Sequence, residues 1–436
     1  MQQTQQCIDQ TASGATTRGD PVNRDGNRVM AHATPFPPGA LTGYRILDLC
    51  DEKGVLCTKI MADLGADVIK IEPPSGDRLR FQGPFYDNKA DAEKSLCFWY
   101  FHANKRSVTL NLATSDGQAL FRQLIKTADV LVETLSPGML DAIGLGYTQL
   151  RGLHPGLIMT SITGFGSTGP YSAYQSSDLV ALAMGGLMYL CGQPDGPPVP
   201  PGASQGAHLA ALNGVTGTLI ALWHRETTGE GQHVDVSMQA AVANTLETTH
   251  QTYDFNGEIR RRHGYRREGA AYILACQDGY IALLCASKLG WPPLVAWMQE
   301  EGCGDGVSDE RLRDDLYRYE HDAEVYAALQ AFFASKTKQD IYTEAQRRRL
   351  PLAPVNTPRD LVESPQLQAR GFFVEVEHPE LGATVVYPGA PYTLSKTPWQ
   401  MRSRPPLLGE HNESIYGREL GLTHDHLRTL RAGGII

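Results

Sequence analysis

One carboxylate is a candidate for chemistry because it follows a glycine-rich segment. Residues 161–171 are Ser-Ile-Thr-Gly-Phe-Gly-Ser-Thr-Gly-Pro-Tyr, and Asp178 comes shortly after them, directly before the apolar run 179–186. A carboxylate can act as a nucleophile, and it needs no base because it is already ionised at neutral pH. An aspartate that begins a helix is more commonly a cap, and Ser176 and Ser177 favour that alternative. From the residues alone, both roles of Asp178 stay open.

Glycines on both sides of Asp178 could supply the N–H groups that such chemistry requires. Attack on a carbonyl carbon leaves negative charge on the carbonyl oxygen, and fixed backbone N–H donors stabilise that charge. The candidates are Gly164, Gly166, Gly185 and Gly186.

Basic residues beside predicted strands could bind a phosphorylated ligand. Arg78 and Arg80 follow the predicted strand 67–71, and Asn104 and Lys105 precede the one at 107–112. Arginine, lysine and backbone N–H groups are the usual partners of phosphate. The alternative is that these side chains are solvated surface charges, which is the commoner case for lysine and arginine.

A competing nucleophile, Ser204, lies in Gly-Ala-Ser-Gln-Gly at 202–206, which matches the Gly-x-Ser-x-Gly motif of serine hydrolases. That motif requires a strand immediately before the serine. The proline-rich residues 197–201 preclude a strand. We therefore expect Ser204 to lie just ahead of a helix.

Composition argues against several other classes of protein. The eight cysteines contain no Cys-x-x-Cys pair and the histidines no His-Glu-x-x-His, so no metal site is predicted. A net charge of -9 disfavours a nucleic-acid surface. There is no apolar run of membrane-spanning length, and residues 1–6 lack the features of a signal peptide. A soluble, cytoplasmic protein without membrane contact is the expectation.

The elements that must position these residues alternate between strands and helices. Short apolar segments near 45–49, 67–71, 107–112, 130–132 and 157–161 are separated by amphipathic stretches, which is typical of a doubly wound, Rossmann-like α/β domain with a parallel sheet. Helices are predicted at 117–126, 178–189 and 207–225. Charged helices from 309 to 350 and a strand at 280–284 indicate a smaller α+β unit.

The predicted domains follow from this pattern. They are a disordered arm at 1–40, the first part of the large domain at 41–225, a linker and small domain at 226–385, and a C-terminal segment at 386–436 that returns to the large domain. Met1 and Met30 are both possible starts.

Several segments together resemble the family III CoA-transferases, the group that includes carnitine, bile-acid and formyl-CoA transferases. The resemblance rests on the loop 161–171 with Asp178 and Ala-Met-Gly-Gly-Leu at 183–187. It is supported by Asn-Lys-Arg-Ser at 104–107, by residues 228–237 and by Leu-Gly-Glu-His at 408–411. It covers roughly residues 41 to 415.

The resemblance implies that Asp178 is the nucleophile of a CoA-transferase. Its carboxylate would attack an acyl-CoA thioester, release CoA thiolate and form a mixed anhydride, through which CoA passes to a free carboxylic acid. CoA would then be a substrate and not a permanently bound cofactor. An interlocked homodimer is also implied. The segments implied to line CoA are Lys53 and Gly54, His102 to Lys105 with Asn104, Thr134, Leu135 and Ser136, and Thr163, Gly164 and Phe165 to Gly166.

The chain also departs from family patterns, and two other functions stay open. Thr134 and Leu135 stand where Asn-Phe is common, and Ala142 and Pro73 stand where arginine is common. An α-methylacyl-CoA racemase or isomerase of the same superfamily would use a His/Asp pair, but Ser177 occupies the position next to the aspartate. A non-catalytic partner subunit of a heteromeric transferase is the alternative from another class.

The densest basic run, 260–267, is commonly a solvated linker. In the family the corresponding segment is a mobile flap over the reaction centre. We hypothesise that Arg266 or Arg267 pairs with a carboxylate on the acyl group, which would favour a dicarboxylic substrate.

Overall fold

The computed structural model of the chain describes residues 37–267, 269, 271–285 and 290–436. Residues 39–436 form one compact unit. Most of the predicted arm 1–40, with the alternative start at Met30, lies outside the described residues. The arm therefore stays a prediction.

Six strands of the described residues form one parallel sheet, as the alternation of strands and helices predicted. Their bounds are β1 Arg45–Leu49, β2 Asp67–Glu72, β3 Arg106–Thr109, β4 Val130–Glu133, β5 Ile158–Thr163 and β6 His233–Ser237. The order is β3-β2-β1-β4-β5-β6, and each neighbouring pair is parallel. The order reverses between β1 and β4, and open sheets of this type bind ligands at the carboxyl ends of the strands that flank the reversal.

Helices cover both faces of this sheet. The helices of this region are α1 Val55–Asp63, α2 Leu96–His102, α3 Ser115–Ile125, α4 Met139–Ala142, α5 Tyr147–Leu153, α6 Asp178–Met184, α7 Leu187–Leu190 and α8 Gln205–Thr228, with 3-10 turns at Arg78–Phe81 and Tyr86–Asn88. Alternate strand residues enter two cores, because Ile46 and Val130 pack on one face and Leu47 and Leu131 on the other. The predicted doubly wound α/β class is confirmed.

Two of the predicted helices have different bounds in the structure. The helix predicted at 178–189 is interrupted at Gly185 and Gly186, because Gly186 has a φ of +85° that a continuing helix does not allow. The helix predicted at 207–225 runs from Gln205 to Thr228 and ends at Gly229, which adopts the left-handed conformation.

The next part of the chain contains an antiparallel sheet with helices on one face. Its elements are α9 Met238–Ala243, α10 Thr249–Asn256, β7 Arg266–Arg267, β8 Ala271–Cys276, β9 Gly279–Leu284, α11 Trp291–Glu300, α12 Asp315–Glu320, α13 Asp322–Phe333, α14 Lys338–Arg347 and β10 Leu352–Pro354, with 3-10 turns at Asn244–Leu246 and Glu310–Arg313. The strand order is β10-β9-β8-β7. A separate core lies between this sheet and its helices, with Leu274, Ile281, Trp297 and Phe333 fully or almost fully buried. This is the α+β arrangement that the sequence predicted.

The C-terminal residues return to the parallel sheet. Their elements are α15 Pro358–Val362, α16 Pro365–Ala369, β11 Phe373–His378, β12 Ala383–Pro388, a π-helix at Glu413–Glu419 and α17 His424–Ala432. Tyr416 and Leu430 pack in the core with Leu131, and the side chain of Asn412 accepts the N–H of Thr109 at 2.9 Å.

Two placements bear on the predicted domain boundaries. Strand β6 belongs to the parallel sheet although it lies beyond residue 225, and Val376 and Tyr387 of β11 and β12 pack in the core that contains Ile46. The boundaries at 225 and 385 stay predictions. In the described part of the chain, no helix combines the length and the apolar character that a membrane span requires.

Candidate active site

Asp178 is the first residue of α6, and its carboxylate faces a second helix. Ser177 caps α6, because its hydroxyl accepts the N–H of Val180 at 3.4 Å. The Oδ1 of Asp178 accepts the N–H of Ala207 at 2.9 Å, and Ala207 lies in the first turn of α8. The N-terminal ends of two helices thus meet at one half-buried carboxylate. Capping is a real function of Asp178, although the capped helix is α8 and not α6.

A glycine keeps the space beside this carboxylate open. A Cβ atom added to Gly206 would lie 3.1 Å from the Oδ1 of Asp178 and 3.5 Å from the Cβ of Ala181. That distance is tighter than most real contacts, so any side chain at Gly206 would press on Asp178. The first turn of α8 is therefore shaped around the carboxylate.

Sequence reasoning missed His208, which follows Ala207 in α8. Burial lowers the pKa of His208, and the charge of Asp178 opposes that effect. The imidazole is consequently neutral at pH 7 and lies within electrostatic range of the carboxylate. Thirty residues separate the two in sequence, so only the contact between α6 and α8 brings them together.

The glycine-rich loop after β5 packs against the segment that leads to Asp178. A Cβ on Gly164 would lie 2.2 Å from the Cβ of Ser176, so only glycine fits there. The ring of Phe165 meets the rings of Tyr171 and Tyr174 edge-on, at centroid distances of 5.9 and 6.4 Å. The predicted positions Thr163, Gly164 and Phe165 therefore belong to the same region as Asp178.

Three of the four proposed oxyanion donors already have acceptors. The N–H of Gly166 binds the hydroxyl of Thr163 at 3.0 Å, and those of Gly185 and Gly186 bind helix carbonyls at 2.8 and 3.2 Å. Of the four candidates, this leaves Gly164.

Two of the predicted CoA-lining segments meet at the sheet reversal. Lys53 and Gly54 follow β1, and Thr134 to Ser136 follow β4, with the hydroxyl of Thr134 accepting the N–H of Asp51 at 2.8 Å. A Cβ on Gly54 would lie 2.6 Å from the Thr134 methyl group. Lys53 pairs with Asp51 at the edge of this crevice. The structure thus places Lys53, Gly54, Thr134, Leu135 and Ser136 where a doubly wound sheet binds its ligand.

A polar cavity of about 240 Å³ continues from this crevice toward β6. Ser136 and Thr163 line it, together with Glu133, Ser161 and His233, which sequence reasoning missed. The hydroxyl of Ser161 and the Nε2 of His233 lie 2.9 Å apart. Burial raises the pKa of Glu133 and lowers that of His233.

Two of the predicted phosphate ligands, Arg80 and Lys105, are buried in ion pairs. The guanidinium of Arg80 binds both oxygens of Glu72 at 2.6 and 2.9 Å and Glu93 at 2.7 Å, and it stacks on Phe98. The ammonium of Lys105 binds Asp48 at 2.8 Å, deep in the core. Both cations are committed to protein carboxylates and would have to leave them before binding phosphate.

Of the remaining predicted CoA contacts, Asn104 and His102 lie in the interior and Arg78 lies at the surface. The side chain of Asn104 binds Asp63 and the carbonyl of Gln400, each at 2.8 Å, so it joins α1 to the C-terminal segment. His102 is fully buried, stacks on Phe98, and neither ring nitrogen has a hydrogen-bond partner among the described residues. Arg78, by contrast, is 77% exposed. The CoA contacts as a set stay a prediction.

A buried charge network at the end of β1 was also missed. The Asp48 carboxylate lies between Lys105, at 2.8 Å, and Lys70, at 3.9 Å. Burial alone would raise the pKa of Asp48, but the two ammonium groups lower it to about 2. The signal in the sequence is a charged residue inside an apolar strand, as in Leu47-Asp48-Leu49.

The arginine run 260–267 contacts α7 and the segment that follows it. Arg262 donates to the carbonyls of Tyr189, Gln193 and Gly196 at 3.0 to 3.2 Å. Ser204 directly precedes α8 and no strand comes before it among the described residues 190–204, so the nucleophile-elbow geometry is absent there, as expected.

Comparison with known proteins places this geometry in a family. The family model described as CoA-transferase family III matches residues 41–412. The succinyl-CoA:(R)-benzylsuccinate CoA-transferase subunit BbsE of Thauera aromatica is 38% identical over 381 residues, which covers 85% of this chain and 92% of that protein. The formyl-CoA:oxalate CoA-transferase of Streptomyces avermitilis is 34% identical over 417 residues, which covers 91% and 99%. The solved structure of a CAIB/BAIF family protein from Brucella suis matches with a TM-score of 0.80 and 31% identity, and covers 87% of this chain and 99% of that one.

Proposed function

Because the chain belongs to CoA-transferase family III, we propose that it moves CoA between an acyl-CoA thioester and a free carboxylic acid through the carboxylate of Asp178. The observation that carries this role is the half-buried carboxylate at the junction of α6 and α8. Gly206 leaves space beside it, and the glycine-rich loop packs next to it. Oδ1 is held by Ala207, while Oδ2 accepts no hydrogen bond from the described residues.

The proposed reaction balances without a cofactor. The free oxygen of Asp178 attacks the thioester carbonyl carbon and the C–S bond breaks. CoA thiolate departs, and an acyl aspartyl anhydride remains on the protein. The thiolate attacks the aspartyl carbonyl and releases the first acid, which leaves an aspartyl thioester. The second acid then attacks the aspartyl thioester and releases CoA thiolate, which gives a new anhydride. The thiolate attacks the acyl carbonyl of that anhydride, so that the new acyl-CoA forms and Asp178 is regenerated as a carboxylate. Backbone N–H groups, with Gly164 as the candidate, would stabilise the charged carbonyl oxygens.

CoA would bind in the crevice between β1 and β4. The N-terminal end of α1 gives this crevice positive charge for the diphosphate. The Lys53 ammonium would add to that charge once it exchanges Asp51 for a phosphate oxygen. Arg78 is exposed and lies near Glu52, so it is available for a phosphate at the outer edge. In this scheme Arg80, His102, Asn104 and Lys105 shape the wall of the site from inside.

A dicarboxylic acid is the proposed co-substrate. Two of the relatives compared above are named for (R)-benzylsuccinate and oxalate, and both of these acids are dicarboxylates. A cation would favour binding of the second carboxylate, and we propose that the arginine run 260–267 supplies it. A cytoplasmic location, where acyl-CoA is available, belongs to the same proposal.

Association with a second chain is also proposed. Helix α8 carries a stripe of exposed apolar side chains at Leu212, Ile220 and Trp223, of which Trp223 is 75% exposed. Surfaces of this kind on a folded chain are typical of interfaces. A homodimer would cover the stripe.

A partner-subunit role is the second candidate function, and two observations favour it. One relative is named a subunit, and the bond from Ala207 gives Asp178 a structural task that does not require catalysis. The racemase alternative gains the neutral His208 near Asp178 as a possible proton carrier.

Transfer by the purified chain distinguishes these functions. The chain is incubated with succinyl-CoA or formyl-CoA and each of several dicarboxylates, and new thioesters are measured by chromatography. Transfer by the chain alone supports the proposal. Transfer only after addition of a second chain from the native host supports the subunit role. Exchange of the α-hydrogen in heavy water without transfer supports the isomerase role.

A further inference from the structure

The outward face of the antiparallel sheet carries a cavity of about 510 Å³. Residues Ala271, Ile273, Ala282, Leu284 and Ala353 line it. Strand registers pair Ile273 with Ala282, Ala282 with Ala353, and Ala271 with Leu284, so these side chains share one face. Ile273 is 42% and Leu284 51% exposed. The floor is therefore apolar and open to solvent, although the opposite face of the same sheet is a packed core.

Aromatic and polar side chains form the walls of this cavity. Tyr342 and Gln346 lie one turn apart on α14, while Ile341 and Ala345 of that helix are buried in the core. Tyr265 lies immediately before β7 and is 41% exposed. The volume falls within the roughly 300–1,000 Å³ that is usual for small-molecule sites. Two tyrosines beside an apolar floor suit a flat or branched hydrocarbon body.

Strand geometry separates the two arginines of β7. Arg266 pairs with the fully buried Tyr272, and its side chain reaches Asp322 at 3.3 Å and lies over the Tyr326 ring. Arg267 pairs with Ala271, which places it on the outward face with the cavity floor. Arg267 is exposed, and no carboxylate of the described residues pairs with it.

We infer that this cavity binds a carboxylic acid with an apolar body, with the carboxylate on Arg267 and the body on the Ile273 and Leu284 floor. The guanidinium offers a carboxylate two parallel N–H donors, and the adjoining apolar surface is buried by the hydrocarbon. Arg266 is excluded from this role because Asp322 already neutralises it. The interpretation as a co-substrate site rests on the proposed function, whereas the binding itself does not.

Calorimetric titration of the full chain without any acyl-CoA tests the inference. The probes are 3-phenylpropionate, its methyl ester and succinate. We expect 3-phenylpropionate to bind more tightly than both other probes. Arg267→Gln raises its Kd at least about tenfold, because a charge-assisted bidentate contact is lost. Arg261→Gln is the matched control, because Arg261 is exposed in the same run but does not line the cavity; its Kd stays within about twofold of the wild-type value.

A second variant tests the apolar floor. Ala282→Phe fills the cavity from an exposed position, so it abolishes binding while circular dichroism and thermal unfolding stay those of the wild type. The inference is overturned if the wild type binds none of the probes, if the ester binds as tightly as the acid, or if either variant binds normally. Arginine-dependent binding by a chain that shows no CoA transfer would refute the proposed function and leave this site standing. CoA transfer by the chain, with binding of 3-phenylpropionate that is unchanged in Arg267→Gln, would support the proposed function and overturn this site.

Discussion

Substitution of Asp178 by asparagine separates a chemical role from a capping role. Asparagine keeps an Oδ1 that can accept the N–H of Ala207, the bond that measures 2.9 Å in the wild type. It removes the negative charge and the nucleophilic oxygen. Alanine removes all three. The pair of variants therefore changes the chemistry and the cap independently.

The magnitudes for the two roles differ widely. Loss of a capping acceptor costs about 0.5–2 kcal/mol, so Asp178→Ala lowers the free energy of unfolding by about that amount. Asp178→Asn loses only the interaction of the charge with the helix ends, about 0.3–1 kcal/mol. If Asp178 is the nucleophile, both variants lose kcat by at least about 10⁴-fold, as when nucleophiles are removed from other covalent enzymes. If it is only a cap, Asp178→Asn changes kcat by less than about fivefold, which corresponds to a barrier change below about 1 kcal/mol.

Thermal unfolding and steady-state CoA transfer are measured on the same preparations of both variants. The predicted result is that the two variants differ in stability and are equally inactive. An active Asp178→Asn variant with an unstable Asp178→Ala variant would refute the nucleophile and establish the cap. Ser176→Ala is a matched control, because its side chain lies beside Gly164 and not on the carboxylate.

Buried charges and the crevice between β1 and β4 give four further predictions. Lys53→Met raises KM for acyl-CoA with little change in Tm. Arg80→Met destabilises the fold by about 3–5 kcal/mol, because it leaves Glu72 buried without its cationic partner. A Lys53→Met variant with a low Tm and a normal KM, or an Arg80→Met variant with a raised KM and a normal Tm, would contradict these roles. The pKa of Asp48 is lowered to about 2 in the folded chain, which stabilises the fold by about 2 kcal/mol above about pH 4; this stabilisation is lost as the pH falls toward 2. The difference in unfolding free energy between the wild type and Asp48→Asn therefore narrows from about pH 4 to about pH 2. A difference that stays constant over this range would contradict the prediction. Burial lowers the pKa of His102 well below its usual value, so wild-type stability falls as the pH drops below about 6.5. His102→Phe keeps the stack on Phe98, and its Tm falls less than that of the wild type between pH 7.5 and 5.5. Parallel curves of Tm against pH, or a large rise in KM for acyl-CoA, would refute a purely structural role of His102.

The fold class could be predicted from the sequence because the hydrophobic patterns of its strands and helices, and the residues that end them, were both clear. Short apolar strands between amphipathic helices indicated the parallel sheet. The helix predicted at 117–126 is α3, which Thr114 caps by accepting the N–H of Gly117 at 3.1 Å. The break at Gly185 and Gly186 was missed, because two glycines inside an apolar run are compatible with either a helix or a turn. The pairing of β6 with β5 was not predicted, because it joins residues as far apart in the chain as Met159 and His233.

The candidate site was only partly readable, because it depends on burial. Arg80 and Lys105 look like free cations in the sequence, and only the structure shows Glu72 and Asp48 beside them. His208 and the Ala207 N–H approach Asp178 through the packing of α8 on α6, which no local pattern reveals. The alternation along β7 did contain the distinction between Arg266 and Arg267, but it required the strand register.

Trapping the covalent intermediate shows directly whether Asp178 is the nucleophile. The chain is incubated with a panel of acyl-CoA thioesters, treated with hydroxylamine, digested and analysed by mass spectrometry. Hydroxylamine attacks an aspartyl anhydride or thioester and leaves a hydroxamate on that residue. If Asp178 is the nucleophile, a hydroxamate forms on Asp178 only when acyl-CoA is present, and none forms in Asp178→Asn. CoA transfer by the chain with no modification of Asp178 would contradict this role.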